Sequence, residues 1–115
     1  MNDTYQIATT IQSQLKSTIG IQTIWAWGQS ALQVVSAANA IELGIPNSIG
    51  ALKFKVNGRY HKGHVIISLN GVDTYDIYIC SVRLGKMKIK QEFNNVHFDE
   101  MGSIIDNFVE KHLQY

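Results

Sequence analysis

Between residues 51 and 90, apolar and polar positions alternate along the chain in a way that is typical of β-strands. Leu52–Val56 and Lys86–Lys90 each place lysines between apolar residues. Because successive side chains of a strand point to opposite faces, each segment predicts a strand with one buried apolar face and one solvent-exposed face. Val65–Leu69 is apolar on both faces and predicts a central strand. Tyr75–Val82 is rich in β-branched and aromatic residues, which favour strands.

Turn signals separate these segments. Asn57-Gly58 is a strong hairpin signal because both residues tolerate positive φ, and Asn70-Gly71 indicates a second turn. The segments therefore predict an antiparallel meander of three or four strands. Lys86–Lys90 is expected at its edge, where lysines also oppose unwanted strand pairing.

The end of the chain predicts an amphipathic helix. Its apolar residues recur at helical spacing, and they are Met101, Ile104, Ile105, Phe108, Val109 and then His112 or Leu113. Asp99 is expected to cap this helix, and Lys111 suits the negative end of its dipole. Asp106, Asn107 and Glu110 are expected on its outward face.

The start of the chain predicts another helix over about Thr4–Ser17, since Ala8, Ile11 and Leu15 lie at helical spacing. Ile21–Trp27 is expected to be a short extended piece. Glycines follow both segments and are expected to end them.

Residues 29–48 leave two interpretations open. Gln29–Leu43 is rich in helix-forming residues and is followed by Gly44 and Pro46, which favours a second helix. The alternative is a flexible insertion. With either one, the elements predict an α+β fold in which helices, among them the C-terminal helix, cover one face of the sheet.

Length and composition indicate a single domain spanning residues 1–115. Cys80 is the only cysteine, so no intrachain disulfide can form, and the cytoplasm is the expected compartment. Met1–Gln6 lacks the basic start and apolar run of a secretory signal. No segment is long and apolar enough to predict a membrane span.

Charge is divided unevenly along the chain. Residues 51–90 carry eight basic and two acidic residues, a net +6, and residues 91–115 carry one basic and five acidic residues, a net −4. The basic residues include a set that is expected to gather on the sheet face opposite the helices if the strand register permits. This candidate binding set is Lys53, Lys55, Lys86, Lys88 and Lys90. Such a face suits nucleic acid, but a solvated lysine-rich face is the ordinary alternative, and an acidic last helix does not suit phosphates.

Trp25 and Trp27 form a second candidate contact. Residues two apart in an extended chain point to the same side, so both rings are expected to lie together. They would be buried in the core or would form a surface for a partner protein or a second copy.

One loose pair of histidines is the nearest approach to a metal motif. His61 and His64 are three residues apart, with Cys80 and His97 elsewhere, whereas zinc sites usually carry two paired ligand motifs. Ordinary solvated turn residues are the simpler interpretation, so no metal is expected.

No arrangement of residues predicts catalysis or a cofactor. Asp73 is better suited to shaping a turn, and Asp76 to a cross-strand ion pair, than either is to acid–base chemistry. No serine stands in a nucleophile elbow, and the glycines form no phosphate-binding fingerprint. We therefore expect a protein that is not an enzyme and needs no cofactor.

Several stretches share a pattern of strand and turn residues with known proteins. They are Ile11–Leu15, Leu52–Val56, Val65–Leu69, Asp73–Ile77 and the helix after Val96-His97-Phe98. Together they resemble short proteins of unknown function that phages and other bacterial mobile elements encode, with Gln29–Ser48 as an insertion. The resemblance implies a small accessory protein of a bacterium or its phage, and it implies no functional residue.

The leading hypothesis is a non-enzymatic protein-binding or accessory protein that contacts a partner or a second copy of itself. Its contacts would be the candidate lysines and the two tryptophans. The alternative is a nucleic-acid-binding module that uses the lysine-rich sheet face. No membrane contact is expected.

Overall fold

A computed structural model of the chain describes residues 4–110, which form a five-stranded antiparallel sheet and four helices. The elements are α1 (Thr4–Ile19), α2 (Ile21–Ala26), β1 (Ser30–Ser36), α3 (Ala37–Glu42), β2 (Ser48–Asn57), β3 (Lys62–Asn70), β4 (Tyr75–Arg83), β5 (Lys86–Val96) and α4 (Met101–Val109). The strands pair in chain order, so β1 and β5 are the edges of a meander. The α+β class is confirmed, and the sheet has more strands than the three or four expected.

The larger core lies between one face of the sheet and the helices α1 and α4, as the periodicity predicts. Its helical members are Ile7, Ala8, Ile11 and Leu15 of α1 and Met101, Ile105 and Val109 of α4. Alternate residues of β2, such as Leu52 and Phe54, meet them from the sheet. Gly102 lets the two helices approach closely, because a Cβ there would lie 2.6 Å from the Cβ of Ile19.

A second, smaller core lies on the other face of the sheet. It consists of Val35, Ala40, Ile45, Ala51, Ile66, Tyr78 and Cys80, with Leu43, Met87 and Ile89 packed against it. The helix α3 and the segment after it cover this part of the sheet. This face is therefore not the open lysine-rich surface that the alternation suggested.

Two segments differ from their predictions. The expected extended piece Ile21–Trp27 is the helix α2 over most of its length. The expected helix Gln29–Leu43 is instead the strand β1 followed by the short helix α3. β1 pairs antiparallel with β2, and this pairing overrides the helix propensity of its Ala, Leu and Gln residues.

The predicted order of the remaining elements is confirmed, with β3 central and β5 at an edge. The predicted cap at Asp99 is wrong, because α4 starts at Met101 after Glu100 and has no side-chain cap. Asp106 is buried and not on the outward face. No helix within residues 4–110 is long and apolar enough to cross a bilayer. Three residues assigned to the last helix lie outside the described residues, and they are Lys111, His112 and Leu113.

Candidate functional site

The five candidate lysines do not share one face of the sheet. Lys53 and Lys55 on β2 point to the α3 side, because the residue opposite Lys53 is Ile66 of the smaller core. Lys88 lies opposite Ser81 of β4, two residues after a member of the larger core, and so points to the α1 and α4 side. The predicted gathering of the lysines on one face is therefore wrong.

A bulge in β5 is the physical reason. The register between β4 and β5 shifts by one residue at Lys90, and such a shift reverses the faces of the residues on one side of it. Met87 and Ile89 consequently pack on the smaller core, whereas Lys86 and Lys88 turn away from it. Without the bulge, both lysines would lie on the same face as the lysines of β2.

The two tryptophans also separate. They lie at the end of a helix, where residues two apart point in nearly opposite directions. Trp27 is fully buried, whereas Trp25 keeps 71% of its surface exposed. The prediction that both rings face the same side is therefore wrong, and only Trp25 is available to a partner.

Trp27 is a structural anchor. Its Nε1 donates a hydrogen bond of 3.0 Å to Oδ1 of Asp106 on α4, and its ring is parallel to that of Phe54 with 6.4 Å between the centroids. Its backbone carbonyl accepts a 2.7 Å hydrogen bond from the N–H of Asn57. These contacts fix the start of β1 against the end of β2 and against α4.

His61 belongs to the β2–β3 loop, and its ring is enclosed against α4. Only 4% of its surface is exposed, and its ring meets Phe108 edge-on with 5.6 Å between the centroids. Nζ of Lys90 lies 5.8 Å from the centroid of the same phenylalanine ring. Burial, and secondly the charge of Lys90, lower the pKa of His61. Its Nε2 is buried without a hydrogen-bond partner among residues 4–110.

His64 and Cys80 do not complete a metal site around His61. Burial, and then the charges of Lys53 and Lys55, lower the pKa of His64. Cys80 is fully buried, and burial raises the pKa of its thiol to about 11, which makes it an unreactive core residue. Within residues 4–110, no group of three or more His, Cys, Asp or Glu side chains is placed to hold a metal ion.

Asp76 belongs to a polar network at one end of the sheet. Its Oδ1 accepts hydrogen bonds from Nδ2 of Asn70, at 3.2 Å, and from the backbone N–H of Asn95, at 3.0 Å. The Oδ1 of Asn70 accepts from two backbone N–H groups of the following turn, both at 3.1 Å. Asp73 has a positive φ of 66° in that turn, in keeping with the expected turn role. Asp76 thus links a turn to an edge strand through amide groups, where a cross-strand ion pair had been expected.

The β1 edge is the feature that the sequence did not predict. β1 has the sequence Ser-Ala-Leu-Gln-Val-Val-Ser and carries no charge. Among the described strands it pairs with β2 alone, so the outward N–H and C=O groups of alternate residues lie along an open edge. Leu32 and Val34 remain 48% and 43% exposed there. The consecutive β-branched residues Val34 and Val35 were the available signal for a strand.

A groove runs along this edge beside α1. It has a volume of about 410 Å³ and is lined by Tyr5, Ala8, Thr9, Gln12, Ser13, Lys16, Leu32, Gln33, Val34 and Leu52. Tyr5 is 71% exposed at its side, and Leu32 and Val34 face into it. Gln12 exchanges two hydrogen bonds with Gln29, of 2.9 and 3.0 Å, which tie α1 to the residue before β1. The edge and the groove together form a continuous surface, hereafter the β1 surface.

No family model, curated protein or solved structure matches the chain. The geometry of the described residues therefore carries the functional interpretation by itself.

Proposed function

We propose that this protein is a small non-enzymatic binding or accessory protein that holds another polypeptide against the β1 surface. The main support is an uncharged open edge strand whose exposed Leu32 and Val34 face a groove lined by both apolar and polar side chains. An extended segment that adds to such an edge pairs with its backbone groups, and alternate side chains of that segment enter the groove.

Exposed apolar side chains scattered singly need no explanation, but a contiguous group does. Leu32, Val34 and Tyr5 lie together at one groove, and the strand that carries two of them lacks any charge that would oppose pairing. Trp25, on the segment that leads into β1, is an additional contact candidate because most of its ring is exposed.

We further propose that the protein acts in the cytoplasm as an accessory protein of a bacterium or of a phage or mobile element. The support is the resemblance of its strand and turn residues to such proteins and the single cysteine, which is buried and reduced.

Capture of partners from a lysate of the source organism tests the binding role. Val34→Lys places a charge on the β1 surface, and we expect it to abolish or strongly reduce the captured polypeptides, because pairing would bury that charge. Val72→Lys is the matched control, since Val72 is 73% exposed in the β3–β4 turn, away from β1. Equal capture by both variants would contradict the assignment of the β1 surface.

A nucleic-acid-binding module is the second candidate. Lys86 lies opposite Arg83 at the end of the β4–β5 hairpin, and Lys88 is two residues further along on the same face, so three basic residues are close together. Electrophoretic shifts over a salt series test it, since phosphate contacts make affinity fall steeply with salt. If this candidate holds, Lys86→Glu with Lys88→Glu weakens binding more than Lys53→Glu with Lys55→Glu, and the absence of a shift at low salt would exclude it.

A further inference from the structure

We infer that the polypeptide held by the β1 surface is β1 of a second copy of this chain, paired antiparallel across a twofold axis. This inference rests on the proposed function, because it names the occupant of the same edge. The two five-stranded sheets would join into one continuous sheet of ten strands.

The sequence of β1 is complementary to itself when it runs in the opposite direction. The strand is Ser30-Ala31-Leu32-Gln33-Val34-Val35-Ser36. With the twofold axis at Gln33, Leu32 lies opposite the partner's Val34 and Ser30 lies opposite the partner's Ser36. In a twofold interface each such pair occurs twice, so a favourable pair contributes twice. Serines therefore meet at the ends and apolar residues meet near the centre.

Charge also favours pairing of β1 with itself. Antiparallel pairing places side chains directly opposite each other, and like charges in those positions are destabilising. β1 brings no charged residue to such a pair. At the other edge, a twofold axis at Lys88 would place it against the partner's Lys88, and Lys86 against the partner's Lys90. The β1 edge brings no like charges together in any register, whereas this register of β5 does.

The groove supplies apolar area in addition to backbone pairing. Leu32 and Val34 face the α1 side, so a twofold axis through the strand brings the groove of one copy against the groove of the other. The exposed leucine and valine of the two copies then cover one another. The register of β1 against β2 shifts between Ser30 and Gln33, where Ala31 has a φ of 53°, so the regular part of the strand runs from Gln33 to Ser36.

Sedimentation over a concentration series tests the inference on the full chain. We expect a reversible shift from 12.9 kDa to twice that mass in the wild type and in Val72→Lys. We expect Val34→Lys to weaken the dimer by at least about tenfold, because it places like charges near the axis and buries them. Thermal unfolding checks that the variant is folded.

A cross-link tests the register without disturbing the apolar contacts. Gln33→Cys places two thiols opposite each other at the axis, where paired Cα atoms lie about 4.5–5.5 Å apart, within reach of a disulfide. We expect this variant to form a covalent dimer on mild oxidation. Val72→Cys is the control, and the natural Cys80 is buried and does not compete.

The outcomes separate this inference from the proposed function. A dimer that Val34→Lys weakens and Gln33→Cys cross-links supports both. A wild-type monomer at all concentrations, with captured polypeptides that Val34→Lys loses, overturns the second-copy inference and leaves the proposed function standing. A dimer indifferent to both β1 variants overturns the inference, and unchanged capture by Val34→Lys overturns the proposed function as well.

Discussion

The two edges of the sheet have opposite chemistry. β5 carries Lys86, Lys88, Lys90 and Glu92, and its register against β4 shifts twice. β1 carries no charge, its register against β2 shifts once, near its start, and it is regular from Gln33 onward. Both strands pair on one side only among the described residues.

This difference indicates that β5 is the better protected edge. Charged side chains and bulges are the usual means by which proteins prevent an edge strand from pairing with another chain. β5 has both, and its bulge additionally turns Met87 and Ile89 into the smaller core. β1 instead presents apolar residues beside a groove, which is the chemistry of an edge that binds a strand.

The largest expected effect comes from the anchor of β1. Trp27→Phe removes the hydrogen bond to buried Asp106 and part of the ring that lies against Phe54, so we expect the free energy of unfolding to fall by about 2–4 kcal/mol. Trp25→Phe is the matched control, because its ring is mostly exposed, and we expect a change within about 0.5 kcal/mol.

Urea denaturation of both tryptophan variants measures the difference. If Trp25→Phe destabilised the protein as much as Trp27→Phe, the assignment of one buried and one exposed tryptophan would be wrong. Because Trp27 fixes the start of β1 through Asn57, we also expect its loss to increase hydrogen exchange in β1 more than in β5.

A change in the contact between α1 and α4 is expected to destabilise both edges of the sheet, whereas the loss of Trp27 destabilises mainly β1. Gly102→Ala inserts a Cβ that would lie 2.6 Å from Ile19, so α1 and α4 must separate. We expect a loss of about 1–2 kcal/mol in the free energy of unfolding, since overpacking outweighs the better helix propensity of alanine. Ser103→Ala, at an exposed neighbouring position, is expected to be neutral or slightly stabilising. A stable Gly102→Ala variant would contradict the close contact of the helices.

We expect acid to destabilise the folded protein through His61, whose pKa is lowered by burial and secondly by the charge of Lys90 on β5. Burial lowers the pKa of His61 in the folded protein below its ordinary value of about 6.5 in the unfolded chain. The unfolded state therefore binds a proton more readily, so stability is complete above about pH 6.5 and is lost as the pH falls toward the lowered pKa. His64 is shifted in the same direction and adds to this dependence.

Unfolding measured between pH 5 and pH 8 checks this dependence. We expect His61→Gln to flatten the profile more than His97→Gln, because His97 is exposed. Identical profiles for the wild type and His61→Gln would show that the enclosed ring does not control acid stability.

The smallest effect on stability is expected from the lysines of β5. Lys86→Thr with Lys88→Thr keeps strand propensity and should change the free energy of unfolding by no more than about 0.5 kcal/mol. It removes the protection of this edge, so we expect slow, concentration-dependent association in light scattering. The same lysines changed to arginine keep the charge and should remain unassociated. Association of both variants would mean that charge does not protect β5.

Four strands and the first and last helices were predictable because their patterns are local. Alternating lysines and apolar residues define β2 and β5, and helical spacing defines α1 and α4. β1 was not predictable in this way, since Ala31, Leu32 and Gln33 favour helices and only pairing with β2 makes them a strand. The helix α2 is too short for its periodicity to be recognised.

The candidate lysine surface failed for a different reason. The five lysines would share a face in a sheet without bulges, but the extra residue at Lys90 reverses Lys86 and Lys88. Nothing local in the sequence marks that residue as unpaired. The bulge allows Met87 and Ile89 to pack against the smaller core, which is a tertiary contact. The β1 surface could not be located from sequence because β1 itself was not recognised.

Hydrogen exchange at low and high protein concentration shows which edge of the sheet, β1 or β5, binds another strand. We expect the outward amides of alternate residues within Leu32–Ser36 to become protected at high concentration, because a paired strand engages them, while amides of β5 do not change. Protection in β5 would contradict the assignment of β1 as the binding edge. So would the absence of protection in both edges at every concentration and in the presence of captured polypeptides.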